Sequence, residues 1–158
     1  MIPHEAAIGE SRRASRPAGR TVYIAIMPLR DLPIEVQRLI DSLSSTDQLE
    51  VLLHLRRSPS RVSEADVLAG EIGLSIPVVK QTLRELIDRR LVTSMTVENN
   101  QTGYQYAPAT VQLHAAVEGL GIAITTHSVA IIKALQDQRN RALRNFADAF
   151  RIRRKPSP

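Results

Sequence analysis

Lys80 and Arg84 lie one helical turn apart, Gln81 falls between them, and Pro77 and Val78 stand just upstream. On a helix this spacing gathers two cations, an amide and two small apolar groups around one face. The cations can hold phosphates, the amide can bond an adenine edge, and Val78 can meet a thymine methyl. Ser75 can cap that helix, and Arg89 lies just past its end. Arg56, Arg57 and Arg61 form a second basic group at the end of another helix and in the turn after it.

Other chemistries are poorly provided for. The four histidines, His4, His54, His114 and His127, include no pair three or four residues apart, the spacing that would set two ligands on one helical face. There is no cysteine, which excludes disulfides, thiolate catalysis and cysteine-ligated zinc. No glycine-rich phosphate loop, nucleophile elbow or carboxylate pair stands out. The sequence leads us to expect no enzyme activity, metal or cofactor.

The elements that must position these residues read as helix, tight turn, helix, strand. Ser63 can cap the first helix, Gly73 can take the left-handed conformation that ends it, and Ser75 can start the second. Ile76, Val79, Leu83, Leu86 and Ile87 recur at helical spacing and predict a buried stripe. Residues 91–98 and 104–107 predict a hairpin whose loop, residues 99–103, ends in the glycine a turn needs. Upstream, Pro33 can open a short helix with Val36, Leu39, Ile40 and Leu43 inward. Ser45 and Gln48 have the spacing of a capping box, starting a leucine-rich helix that runs to about Arg57.

The run Ala69, Gly70, Glu71, Ile72, Gly73, Leu74, Ser75, followed by Val79, Leu83, Leu86 and Leu91-Val92, resembles the winged helix-turn-helix module of bacterial regulators, MarR-like proteins among them. The resemblance spans residues 34–108 and implies a mainly α fold with a small β-hairpin wing, followed by C-terminal dimerisation helices. It implies a dimeric transcriptional regulator whose second helix enters the major groove of double-stranded DNA, with half-sites about one helical turn apart. It also admits a small-molecule effector, which no residue identifies. Two positions depart from the family pattern. Arg90 stands where a glycine often precedes the wing strand, and the loop Asn99, Asn100, Gln101, Thr102 has no cation to reach a minor groove. A winged-helix protein-interaction module is the competing reading.

Three regions follow from composition. Residues 1–30 hold five arginines against two glutamates among glycine, serine and proline, a composition that suits a disordered basic arm. Met27, directly before Pro28, is a candidate true start. Residues 31–108 form the winged unit, and residues 109–158 form a helical dimerisation region with a basic tail at Arg153, Arg154 and Lys155. Of 21 basic and 16 acidic residues, the central 31–138 keep 9 and 13, so the body is acidic and the ends are basic. An acidic body suits DNA only where its cations cluster.

Leu113, Val117, Leu120, Ile124, His127 and Ile131 follow a 4, 3, 4, 3, 4 spacing, which predicts a seam against a second helix and hence a homodimer. Gly119 and Gly121 predict either a close crossing or a kink. A final short helix carries Leu143, Phe146, Ala147 and Phe150 on one face. Membrane insertion of residues 115–132 is not expected, because Glu118 and His127 would be costly there. The lack of cysteine and of an N-terminal apolar segment of secretory length fits a cytoplasmic protein.

Overall fold

A computed structural model describes residues 28–152. Residues 1–27 of the expected N-terminal arm and the basic tail from Arg153 lie outside the described residues, while the end of that arm is ordered: Leu29–Asp31 form a 3-10 turn and Leu29 packs against the core. Helices α1 (Ile34–Ser42), α2 (Thr46–Arg57), α3 (Ala65–Ile72) and α4 (Ile76–Asp88) precede a hairpin of β2 (Val92–Thr96) and β3 (Thr102–Tyr106), and α5 (Val111–Ile152) closes the chain. A two-residue strand β1 (Ser63–Glu64) pairs antiparallel with β3, so the wing is a three-stranded sheet in the order β1-β3-β2. This is a mainly helical winged-helix architecture with a small antiparallel sheet.

The capping reading of α2 holds with one shift. Ser45 accepts the Gln48 backbone N–H at 3.2 Å, but the Gln48 carbonyl oxygen accepts from Ser44 rather than from Ser45. Gly73 ends α3 at φ +81°, and Ala69 accepts both its N–H and that of Leu74. Ser63 does not cap α3. It is buried in β1 opposite Tyr104, and the capping position falls to Glu64. Ser75 occupies the α4 capping position without a side-chain bond.

Val79, Leu83 and Leu86 are fully buried along α4, and Thr82 joins them. Ile76 departs from the expected stripe and is 43% exposed. The first turn of α4 projects past the core, so Ile76 lines the cleft between helix and hairpin instead.

The hairpin turn is not made by glycine. Asn99 and Asn100 take positive φ, both 60°, a conformation asparagine tolerates better than most residues. Gly103 sits inside β3, where a Cβ would collide with Val62 and come within 2.7 Å of Val97 Cγ1. Gly103→Ala is therefore expected to strain the β1–β3 pairing and cost about 1–3 kcal/mol, the usual penalty of overpacking. Thermal denaturation would measure it as a lowered midpoint. Arg90 has φ 59°, a left-handed conformation that glycine takes more easily, held here by an arginine at a cost of about 1 kcal/mol.

The C-terminal region is helical over all 42 residues of Val111–Ile152 except for a kink at His127 (φ −121°, ψ 20°), so it divides there and not before a short terminal helix. Unbroken, it would hold Gln112 and Gln138 about 39 Å apart. Yet Gln112 shares a cleft with Ser42 at the end of α1, and Gln138 shares another with Asp41 and Leu43. The bend at His127 therefore brings both segments of α5 to the end of α1.

The glycines do not kink it. Gly119 admits α1, since a Cβ there would lie 2.5 Å from Val36 Cγ2, and Gly121 admits the Arg56 guanidinium. The expected dimer seam is likewise met within the chain. Val117, Leu120 and Ile131 are fully buried, Leu113 and Ile124 are half-buried against the same core, and α1 packs along α5. Periodicity marks a covered face correctly but cannot say that the cover comes from α1. His127, half-buried at the break, has its Nδ1 2.7 Å from the Thr126 hydroxyl, while its enclosed Nε2 has no hydrogen-bond partner among the described residues.

By length and composition α5 could cross a membrane, and a third of its most apolar stretch is buried in the fold. Val117, Leu120, Ile131 and Leu135 of α5 are buried in the common core.

Candidate nucleic-acid interface

The face of α4 opposite the buried stripe carries Ser75, Pro77, Val78, Lys80, Gln81 and Arg84, all exposed. Amphipathic spacing produces this arrangement: once Val79, Leu83 and Leu86 turn inward, the positions between them must turn out. A cleft of about 500 Å³ separates α4 from the hairpin, with Lys80 and Arg84 on one wall and residues 100–102 on the other. Tyr104 also lines it, as do Glu64 and Asp66 from the start of α3. The cleft is thus mixed in charge. Among the described residues neither Lys80 nor Arg84 has an ion pair or a side-chain hydrogen bond, so both heads are available to an external anion.

The supporting arginines divide differently from expectation. Arg56 makes a two-pronged bond to Glu118, with both distances 2.8 Å, tying α2 to α5. Arg61 bonds Glu71 at 2.6 and 3.2 Å, and His54 reaches the same carboxylate at 2.8 Å. Arg89 donates to the Ser42 carbonyl at 2.7 Å, the Ser44 hydroxyl at 2.9 Å and the Glu85 carbonyl at 3.1 Å. These three brace the fold. Arg57 is exposed and keeps no such partner among the described residues. Sequence spacing misses this because Glu118 lies 62 residues from Arg56 and Ser42 lies 47 from Arg89.

The ion pairs shift their members. The hydrogen bond from Arg56 holds the Glu118 carboxyl below its usual range, and the same bond raises Arg56. Bonds from Arg61 and then His54 lower Glu71. Burial, reinforced by the nearby Glu118 charge, pushes the Tyr106 hydroxyl up to about 12, and that hydroxyl lies 3.2 Å from His114 Nδ1.

Because Glu118 is lowered in the folded chain, its contribution to stability is present above its unfolded value near 4.5 and is lost as pH falls through the lower folded value. The pair is partly exposed, so solvent screening limits it to about 1 kcal/mol or less. Glu118→Gln should lower the denaturation midpoint at pH 7, and the gap to the parent chain should close as pH falls through the lowered folded value.

Two residues near the interface carry roles that spacing does not announce. Glu85, half-buried on α4, accepts from Gln81 Nε2 at 2.8 Å, and it also accepts from Gln48, a fully buried glutamine on α2. The capping spacing locates Gln48 but carries no sign of its second bond.

The sequence matches no protein-family model and no curated protein. Among solved structures, the fold is similar to a possible transcriptional regulator from Methanosarcina mazei Go1, at 16% identity and a TM-score of 0.40 over 71% of this chain and 86% of that one. It is also similar to a point mutant of Lactococcus lactis ZitR, at 17% identity and a TM-score of 0.38 over 69% of this chain and 74% of that one.

Proposed function

We propose that the protein binds double-stranded DNA as a homodimer and regulates transcription without catalysis. The observation that carries this reading is the pair of unpartnered cations, Lys80 and Arg84, one turn apart on the exposed face of α4 beside the hairpin. Placed in a major groove, the first turns of α4 present Val78 and Gln81 to base edges while Lys80 and Arg84 meet phosphate. Ser75 and Pro77 lie at the end of the helix that enters first. Arg57 is the member of the second basic group left free for a flanking phosphate among the described residues.

Pairing of two copies is supported by a different set of α5 residues from those named by spacing. Ile122, Val129, Ile132, Leu143, Phe146 and Phe150 are large, apolar and exposed. The rings of Phe146 and Phe150 meet at a tilt, with centroids 4.6 Å apart, and Arg141, Arg144 and Arg151 occupy the other side of the same arm. A second copy covers the apolar side and leaves the arginines in water.

Titrating the protein with duplex DNA across a salt series tests the reading. Affinity that falls steeply with salt is the expected result, since phosphate binding releases counterions. Absence of binding at low salt would overturn it and favour a protein partner. That second reading draws on the exposed Ile76, Pro77 and Val78 and on the carboxylates of Glu64 and Asp66 in the cleft.

A further inference from the structure

We infer that Glu85, anchored by buried Gln48, fixes the orientation of the Gln81 amide and thereby makes α4 select adenine over guanine at one position of each half-site. This rests on the DNA-binding reading above and adds to it the residue that sets specificity.

An ionised carboxylate only accepts hydrogen bonds, so whatever glutamine faces it must present its –NH2. Gln81 does so, with Nε2 2.8 Å from Glu85 Oε1. The other Glu85 oxygen accepts from Gln48 Nε2. Gln48 is itself fixed, since its carbonyl oxygen accepts the Ser44 N–H at 2.9 Å and the whole residue is buried. The chain of bonds therefore runs from the backbone before α2, through a core amide and a carboxylate, to an amide on the exposed face of α4.

A surface glutamine normally rotates freely about its last torsion, and a half-turn exchanges donor for acceptor. Here that exchange would set the Gln81 carbonyl against a carboxylate. The amide thus keeps its oxygen and its second N–H for a ligand. Adenine offers the complement, a donor at N6 beside an acceptor at N7. Guanine offers two acceptors, O6 and N7, and would face the amide oxygen with one of them.

Base preference at every position of the selected site is to be measured for the parent protein, Gln81→Ala and Glu85→Gln. Gln81→Ala identifies the position read by the amide. Glu85→Gln frees the amide to turn, and the adenine-over-guanine ratio there is expected to fall about tenfold. Full retention of the adenine preference in Glu85→Gln, with its loss in Gln81→Ala, would overturn the role of Glu85 and leave DNA reading intact. A parent protein with no base preference anywhere would overturn both. If Glu85→Gln does not fold, side-chain amide relaxation by NMR on the parent decides: a Gln81 –NH2 as rigid as the backbone supports the inference, and one as mobile as a free surface glutamine overturns it.

Discussion

Lys80→Ala/Arg84→Ala is expected to lower duplex affinity roughly 100- to 1000-fold and to flatten its salt dependence. In a dimer the double substitution removes four cations. Removing one phosphate-binding cation lowers the slope of log affinity against log salt by about 0.9, so the slope should shrink by roughly 3 to 4. Even about 1 kcal/mol per cation would sum to the stated weakening. Both side chains are exposed and bonded to nothing else in the described chain, so folding should be unaffected and thermal midpoints should match. The contrast is with Arg56→Ala, which leaves Glu118 unpaired and should show first as reduced stability rather than reduced DNA affinity.

The second large effect lies at the other end of the molecule. Phe146→Asp/Phe150→Asp should convert the proposed dimer to a monomer, halving the mass seen by sedimentation equilibrium. These rings are 65% and 56% exposed in the single chain, so the core is little disturbed. The two charges on each chain, four in the pair, would be buried without a compensating partner and cost several kcal/mol. Without the second half-site, affinity for a symmetric site should then fall by about 100- to 10,000-fold. An unchanged mass would place the pairing surface elsewhere.

The helix-turn-helix is legible in the sequence because local physics writes it locally. Gly73 must supply a positive φ, Ser45 must find an N–H three residues on, and Val79, Leu83 and Leu86 must share a face. What stays illegible is every feature settled by distant partners. Arg56, Arg57 and Arg61 look alike in one basic group, as does Arg89 past the end of α4, and only the fold reveals that three of the four are bonded internally. The seam Val117, Leu120 and Ile131 is buried as its spacing demands, but within the same chain, where α1 and α2 pack on α5. Gly103 suits a turn by residue type, yet Asn99 and Asn100 make the turn and Gly103 yields space to Val62 and Val97. Ser63 has the residue type of a cap in a place that a three-stranded sheet claims first.

Selection of bound sequences from a random duplex pool is the most direct measurement of the central claim. The account predicts enrichment of a two-fold-symmetric site, with half-sites about 10 base pairs apart centre to centre or a multiple of that spacing, and no such enrichment in Lys80→Ala/Arg84→Ala. A pool that emerges with no shared sequence, or with one that both the parent and the double variant select equally, would contradict it.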